Sequence, residues 1–382
     1  MKIQFSQTPL NFPLPINLAG YLKDRTATTV NDPLYVSMCI LEDLVLISID
    51  GIGVSPRLTD RIKERIKNYS EIFVFGTHTH SGVKGLIDTQ DRAHPLYSQG
   101  QVFGTYNEQI EQTILSAVDS CLDNLIESSN LELKQFKLDQ LYSNRNDLLK
   151  PYEQRALSLE SDTFILFHFA CHPTILGPDN QSISSDLVGG LRSQFDKPVM
   201  FINGAAGDVS TRFLRQGTDF TECLRFGEVL KQQFDLAQPF PVNHLLIDIK
   251  HFGITARLKK SDDVQRKITE IEQAIMTDPT NRKLQAKLEG YRLADKPKTD
   301  LTEYRLNCAV IEINGLKFVT LPLEMVSELT IDLECYILGY ANDYVLYMAS
   351  KDSYENELYE ALASPFEKGE AERLIQKIKE QL

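Results

Sequence analysis

The chain has 382 residues, of which 42% are hydrophobic and 9% aromatic, enough to bury one large core or two smaller ones. Its formal net charge of -13 gives no overall attraction to nucleic-acid phosphates or anionic lipid, so both kinds of partner are disfavoured. No apolar stretch approaches bilayer-spanning length, and the N-terminus lacks the apolar core of a signal peptide. We therefore expect a cytoplasmic protein without stable membrane insertion.

The six cysteines support the same expectation. They are scattered along the chain, have mostly apolar neighbours and form no Cys-x-x-Cys pair. Buried reduced thiols explain this pattern better than disulfides or a zinc knuckle.

Apolar runs rich in Val, Ile and Phe alternate with segments of helical period, which is typical of an α/β fold. Two connections, Glu42-Asp43 and Asn314-Gly315, join neighbouring strands as hairpins, so the β-sheet core flanked by helices is predicted to be mixed. The predicted strands are Leu34–Leu41, Leu44–Asp50, Ile72–Thr77, Leu131–Leu138, Phe164–Cys171, Val199–Asn203, Leu245–Gly253, Ala309–Ile313, Leu316–Leu321 and Tyr344–Ala349. The predicted helices are Pro56–Asn68, Asn107–Ser128, Asp186–Gln194, Thr221–Phe234, Glu324–Tyr340 and Glu367–Gln381.

One segment differs in texture from the rest of the predicted single domain, residues 1–382. Ser261–Lys298 is charged and has a helical period that is broken at Asp278-Pro279. It is predicted to be a helical hairpin inserted between core strands, and a solvated packing element is a more frequent role for such a hairpin than a partner-binding arm or a lid.

Two histidines follow a hydrophobic run in Phe73-Val-Phe-Gly-Thr-His-Thr-His-Ser-Gly82. If this run is a strand, its period of two sends His78 and His80 out of the same face, where they can hold a metal or a substrate. Chemistry at the end of this strand is the first hypothesis.

Three further segments place polar or small residues at the end of a buried strand, where ligand sites of α/β folds collect. They end in Cys171-His-Pro-Thr174, in the loop Asn203–Ser210, and in Leu321-Pro-Leu-Glu324. His78, His172 and Glu324 can therefore supply three ligands of a zinc site with an open position for water. His-Glu-x-x-His and Gly-x-Ser-x-Gly are both absent, which excludes the helical metalloprotease motif and weakens an esterase interpretation.

Other interpretations of these residues stay open. His172 alone could cap a buried strand, and Asp208 or Ser210 could only shape a turn. His168 is expected to be a hydrogen-bonded core histidine. A metal-dependent phosphoesterase would use aspartates at strand ends, for which Asp50, Asp186 and Asp208 are available.

Taken together, these segments resemble the catalytic domain of the neutral/alkaline (non-lysosomal) ceramidases, zinc-dependent amidases that cleave the N-acyl bond of ceramide. The resemblance spans nearly the whole chain, and its specificity lies in the order and spacing of the pieces. They are Leu18-Ala-Gly-Tyr21, Thr77-His-Thr-His-Ser-Gly82, Asn144-Arg145, Cys171-His-Pro-Thr174, Gly207-Asp-Val-Ser210, Leu321-Pro-Leu-Glu324 and Asn342-Asp-Tyr-Val-Leu-Tyr347.

The resemblance implies a role for each matching residue. The ligands of one zinc ion would be His78, His172, Glu324 and Tyr347. The reaction site would contain His80 to move protons, Arg145 to stabilise the oxyanion and Ser210 to hold the substrate or the attacking water. A direct nucleophilic role of Ser210 is the alternative, and it would need an adjacent base that the sequence does not identify.

Two departures from the family concern the substrate. The family's loops usually continue His-Ser-Gly-Pro-Gly and Val-Ser-Pro-Asn, whereas this chain has Val83 in the first and Thr211-Arg212 in the second. We therefore expect an amidase whose substrate is ceramide or a smaller, more soluble N-acyl compound. A non-catalytic, metal-binding homologue that acts as a scaffold is the alternative.

Overall fold

The computed structural model describes residues 1–260, 264–294 and 300–382. Its strands in chain order are β1 Ile3–Leu10, β2 Ile16–Asn17, β3 Thr26–Ala27, β4 Thr29–Val30, β5 Leu34–Leu41, β6 Leu44–Ile49, β7 Glu71–Gly76, β8 Ile126–Glu127, β9 Glu132–Lys137, β10 Ser143–Asn144, β11 Arg155–Glu160, β12 Ile165–Phe169, β13 Ser182–Ile183, β14 Val199–Asn203, β15 Val209–Ser210, β16 Pro239–Pro241, β17 Ile247–Arg257, β18 Glu303–Ile313, β19 Leu316–Thr320, β20 Glu324–Met325, β21 Tyr336–Leu338 and β22 Tyr347–Met348. Its helices are α1 Pro56–Arg65, α2 Gly100–Phe103, α3 Glu108–Asp123, α4 Leu187–Arg192, α5 Phe220–Leu236, α6 Val264–Thr277, α7 Arg282–Ala294, α8 Lys351–Glu355, α9 Tyr359–Ala363 and α10 Glu370–Lys379, with a 3₁₀ turn at Ser327–Leu329.

Three mixed sheets form the framework. The strand orders are β7-β6-β5-β1-β8 in the first sheet, β14-β12-β11-β9-β16 in the second and β17-β18-β19-β21 in the third. Each sheet contains a parallel pair, namely β6 with β7, β12 with β14, and β19 with β21. In each of the first two sheets, the two parallel strands end at the same edge of the sheet. The polar motifs of the sequence follow these strand ends.

The sheets share a central apolar core, and each also packs against helices. Phe73 of the first sheet, Leu166 of the second and Phe318 of the third belong to the same buried cluster. The first sheet packs against α1 and α3, the second against α4 and α5, and the third against α10. The α/β fold with mixed sheets and flanking helices, as predicted, is confirmed.

The predicted helix Glu324–Tyr340 is wrong. This segment contains the short strands β20 and β21 and the 3₁₀ turn, because β20 pairs with β22 and β21 pairs with β19. These strand pairings outweigh the helical spacing of the apolar residues. The predicted strand Tyr344–Ala349 is shorter than expected, since it is confined to β22.

The two longest strands that the sequence prediction missed are β1 and β11. β1 pairs along its whole length with β5, and β11 lies between β9 and β12 in the second sheet.

Within the predicted hairpin the structure has α6 and α7, while residues 261–263 and 295–298 lie outside the described residues. The single domain stays a prediction. Within the described ranges, no helix combines the length and apolar character that crossing a bilayer requires.

Helices α4 and α5 cross at two glycines. A Cβ atom added to Gly190 would lie 1.7 Å from the carbonyl oxygen of Cys223, and one added to Gly227 would lie 2.0 Å from the carbonyl oxygen of Gly190. The two backbones therefore approach too closely for any side chain at these positions. The crossing fixes the position of α4. The loop before α4 lies beside the site described below.

We predict that Gly227→Ala lowers the free energy of unfolding by about 1–3 kcal/mol or more, because the added methyl group pushes the two helices apart. Gly177→Ala is the matched control, since a Cβ atom there would meet nothing within 4 Å. Urea unfolding of both variants checks the prediction. Equal stability of the two variants would contradict the close crossing.

Candidate metal centre

One edge of the first two sheets brings together side chains that are far apart in sequence. His78 follows β7, and His172 follows β12. Glu324 begins β20 and lies opposite Tyr347 of β22 in a parallel pairing. All four of these side chains are buried.

Three imidazoles form a cluster, which we call the histidine cluster and which consists of His78, His80 and His172. One ring nitrogen from each can be chosen so that all lie within 4.8 Å of one another. The Nε2 atom of His78 lies 3.1 Å from Nε2 of His172 and 3.3 Å from Nε2 of His80. Nitrogen atoms of all three residues therefore face one small volume.

Backbone carbonyl groups fix the orientation of two of these rings. Nδ1 of His78 lies 2.7 Å from the carbonyl oxygen of Ile52, and Nδ1 of His172 lies 2.7 Å from that of Ala206. A carbonyl oxygen only accepts, so each Nδ1 donates and each Nε2 of a neutral ring carries a lone pair. Burial, followed by the nearby Arg145, lowers the pKa of His172 to about 4, so this ring is neutral near pH 7.

The fourth ligand candidate is the carboxylate of Glu324. Its Oε2 atom lies 3.3 Å from Nε2 of His78 and 3.2 Å from Nε2 of His172, yet it is buried without a hydrogen-bond partner. The hydroxyl of Tyr344 donates to the other oxygen, Oε1.

His80 lies on the more open side of the cluster. It is 9% exposed, compared with 0% for His78 and 1% for His172. Burial, then His78 and His172, keeps the pKa of His80 well below its usual value. Gly20, at φ +96°, packs so closely against His80 that a Cβ atom would lie 2.5 Å from its Nδ1. This glycine makes room for the ring.

Tyr347 and Arg145 lie beside His172. The Tyr347 hydroxyl lies 3.4 Å from Nε2 of His172, and Nη1 of Arg145 lies 3.5 Å from the same atom. Arg145 Nε donates to the buried carboxylate of Glu360 at 2.6 Å, while its Nη2 is buried without a partner. Burial alone would lower the pKa of Arg145, but Tyr347 and Glu360 raise it well above its usual value, so the guanidinium stays charged.

Ser210 lies beside this group on the short strand β15. It forms a bridge with His172 and pairs with Ser143 of β10, the strand that leads into Arg145. The Ser210 hydroxyl accepts a hydrogen bond of 3.3 Å from the backbone N–H of Arg212. The structure thus places all seven predicted site residues in one buried region.

The aspartates of the phosphoesterase hypothesis lie elsewhere in hydrogen-bond networks of their own. Asp50 forms an ion pair with Arg192, and Asp186 accepts three backbone N–H groups at the start of α4. Asp208 accepts from the side chain of Asn144 and the backbone of Ser327. Because these carboxylates are already occupied by donors, the structure does not favour a carboxylate-rich metal site.

Three further residues of the site were not predicted from the sequence. Tyr340 stacks on His78 with ring centroids 4.3 Å apart, and its buried hydroxyl has no partner. Tyr344 binds Glu324, and Glu360 binds Arg145. The Asn342-Asp-Tyr-Val-Leu-Tyr347 segment pointed to this neighbourhood, but nothing in the sequence around Glu360 separates it from an exposed helical glutamate.

The geometry fits a divalent cation bound by nitrogen and oxygen. Tetrahedral zinc with bonds of about 2.0–2.1 Å separates its ligand atoms by about 3.3 Å. The spacings between Nε2 of His78, Nε2 of His172 and Oε2 of Glu324 are 3.1–3.3 Å. The Nδ1 protons of both histidines point away from this volume, so lone pairs of two nitrogens and one carboxylate oxygen face one another in a buried place. A shared cation would remove the repulsion between these lone pairs and would give the unpartnered oxygen a partner.

No protein-family model matches the chain, and no curated protein sequence matches it either. Solved structures do match. A neutral ceramidase from Pseudomonas aeruginosa superposes with a TM-score of 0.70 and 15% identity, over 99% of this chain and 73% of that chain. A ceramidase complexed with C2 superposes with a TM-score of 0.70 and 14% identity, over 100% and 75% respectively. The chain therefore has the fold of the neutral ceramidase structures, as the sequence resemblance predicted.

Proposed function

We propose that this protein is a zinc-dependent amidohydrolase of the neutral ceramidase type, which hydrolyses an N-acyl amide bond. The observation that carries the proposal is the convergence of two oriented imidazoles on the unpartnered Oε2 of Glu324 at 3.2–3.3 Å. The shared fold supports it by analogy.

One zinc ion would be held by His78, His172, Glu324 and Tyr347. When bound, zinc supplies Lewis-acid chemistry, which polarises an amide carbonyl and makes water a stronger nucleophile near neutral pH. Burial, followed by Glu324, raises the pKa of the Tyr347 phenol well above its usual value. Of the four proposed ligands, Tyr347 is therefore the one whose loss of a proton depends most on the bound cation.

His80 is proposed to move the protons. Its lowered pKa keeps it neutral near pH 7, so it can accept a proton from water and pass it to the leaving amine. The water oxygen bonds to the acyl carbon, the carbon–nitrogen bond breaks, and the amine nitrogen takes the proton. The products are a carboxylic acid and an amine.

Arg145 and Ser210 are proposed to stabilise and position the reacting groups. Arg145 has a buried N–H group without a partner and remains charged, which suits it to a developing oxyanion. The Ser210 hydroxyl has the N–H of Arg212 as its hydrogen-bond partner, and a nucleophilic serine would need an adjacent base. We therefore assign Ser210 to holding the substrate or the attacking water.

The setting of this activity is proposed to be the cytoplasm, with a small-molecule or lipid-like N-acyl substrate. All six cysteines are buried as free thiols, which suits a reducing compartment.

The alternative function is a metal-binding scaffold without catalysis, motivated by Val83 and Thr211-Arg212 in place of the family's usual residues. Stoichiometric zinc without turnover of any N-acyl compound would favour that alternative.

Removal of a proposed ligand should abolish zinc binding. His78→Ala, His172→Ala and Glu324→Gln are expected to lose stoichiometric zinc, whereas His251→Ala, on an exposed residue of β17, should retain it. Elemental analysis after dialysis measures the zinc content. At a free zinc concentration of 100 times its Kd, the wild type should gain about 2.7 kcal/mol of unfolding free energy that the ligand variants do not gain.

His80→Ala separates two roles in the same assay. Retained zinc with loss of hydrolysis is expected of a residue that moves protons, while loss of zinc would make His80 a ligand. A wild type that binds no zinc would refute the proposed function.

Arg145 should depend on Glu360 for its position. We expect Arg145→Lys to lower kcat by about 100-fold, because a lysine cannot reproduce the forked guanidinium donors at the oxyanion. Glu360→Gln should lower kcat by about 10-fold with zinc content intact. The control is Glu355→Gln, which removes a surface ion pair with Lys368. Full activity of Arg145→Lys would remove Arg145 from the mechanism.

A further inference from the structure

Asn144 is a buried polar residue next to Arg145 that has no role in the reaction proposed above. It is 1% exposed and lies on β10, directly before Arg145 in the chain. A buried amide is costly unless both its oxygen and its nitrogen have hydrogen-bond partners. The Asn144 amide has partners for both groups, and all of them belong to the surroundings of Arg145.

The oxygen of the Asn144 amide closes a turn that contains Arg145. Its Oδ1 atom accepts the backbone N–H of Asn146 at 2.9 Å and that of Asp147 at 3.3 Å. Because an amide nitrogen cannot accept a hydrogen bond, these two donors fix the orientation of the amide group. The Asn144 side chain therefore sets the path of the backbone that carries the guanidinium.

The nitrogen of the same amide binds a buried carboxylate. Nδ2 of Asn144 donates to Oδ2 of Asp208 at 3.0 Å, and the other carboxylate oxygen accepts the backbone N–H of Ser327 at 2.5 Å. The backbone carbonyl oxygen of Asp208 also accepts the N–H of Arg145 at 2.7 Å. The Asn144-Arg145 pair is thus joined to Asp208 by a side-chain bond and a backbone bond.

The guanidinium end of Arg145 is held by a second buried carboxylate, that of Glu360. Nε of Arg145 and Nδ2 of Asn146 donate to its two oxygens at 2.6 and 3.1 Å. With both ends held, Nη1 of Arg145 lies 3.5 Å from Nε2 of His172. Glu360 therefore fixes the guanidinium, while the bond between Asn144 and Asp208 fixes the backbone beneath it.

We propose that Asn144 is a positioning residue, which places the Arg145 guanidinium beside His172 through its bond to Asp208. This inference rests on the proposed function, in which Arg145 stabilises the oxyanion. A shift of the Arg145 backbone moves the guanidinium with it, and a displacement of about 1 Å in a reaction site can lower the rate by about 100-fold. The role requires one order of donor and acceptor, an N–H group that meets a carboxylate oxygen.

An exchange of the two side chains tests this order. In Asn144→Asp, two carboxylate oxygens face each other across the 3.0 Å contact. In Asp208→Asn, two N–H donors oppose each other, at Asn144 or at Ser327. The double variant Asn144→Asp/Asp208→Asn again pairs one N–H group with one oxygen, and it keeps acceptors for the turn and for Ser327.

We expect each single variant to retain zinc and to lower kcat for N-hexanoylethanolamine by about 10-fold, and the double variant to come within about 3-fold of the wild type. If a single variant does not fold, recovery of folding and of kcat in the double variant is the same test. A double variant as slow as the single variants, or single variants with wild-type kcat, would overturn the inference.

The Arg145→Lys background shows whether the effect passes through Arg145. In that background Asn144→Asp should change kcat by no more than about 2-fold, because the guanidinium that it positions is already lost. The same loss of about 10-fold in both backgrounds would overturn the inference, since a residue that only stabilises the fold behaves in that way. Asp162→Asn is the control and should keep wild-type kcat, since this exposed aspartate also accepts a backbone N–H, that of Ser129.

The Nε–H signal of Arg145 in the nitrogen-15 NMR spectrum separates this inference from the proposed function. It is assigned by its absence in Arg145→Lys. We expect this proton to exchange with solvent at least ~10-fold faster in Asn144→Asp than in the wild type, and at the wild-type rate in the double variant. An unchanged rate in Asn144→Asp would overturn the inference while the proposed hydrolysis stands. If the wild type hydrolyses no N-acyl compound, the proposed function fails, and the exchange rate still decides whether Asn144 holds Arg145.

Discussion

The candidate site depends on two backbone carbonyl groups that turn the imidazoles of His78 and His172 toward the same point. The carbonyl oxygen of Ile52 follows β6, and that of Ala206 follows β14. Each of these strands is the parallel neighbour of the strand before the histidine it orients. Because parallel neighbours end at the same edge, the sheet itself supplies both the ligand and its second hydrogen bond. The ring tautomers then follow from the fold rather than from other side chains.

Close packing of the loops is the structural condition for this arrangement. A Cβ atom on Gly76 would lie 2.6 Å from Cα of Gly53, and one on Gly207 would lie 2.9 Å from the carbonyl oxygen of Met325. The first contact joins the strand before His78 to the loop that contains Ile52, and the second joins the Ala206 loop to the strand of Glu324. Burying these polar groups is unfavourable in isolation, so a cation bound among them would couple stabilisation of the loops to metal binding.

The sequence predicted the buried strands and the meeting of His78, His172 and Glu324. It did not predict all the structural reasons why these three residues meet. His78 and His80 do not alternate along a strand, since β7 ends at Gly76 and His78 has a φ of +71°. Their rings meet because the chain turns. Glu324 was predicted to begin a helix, although strand pairing with Tyr347 places it in the site. Such pairing joins residues distant in sequence, which local periodicity cannot detect.

The tyrosines after β21 explain how one carboxylate oxygen is reserved for a ligand. Tyr340, Tyr344 and Tyr347 all lie in the apolar cluster beside the site, although the segment is not helical. Asn342 and Leu346 have left-handed backbone conformations, which redirect the chain between these tyrosines. Tyr344 occupies Oε1 of Glu324, and this leaves Oε2 as the single oxygen that faces the two histidines. A carboxylate held in this way offers one oxygen to a cation rather than two, which suits the low coordination number of zinc better than the oxygen-rich shell of calcium.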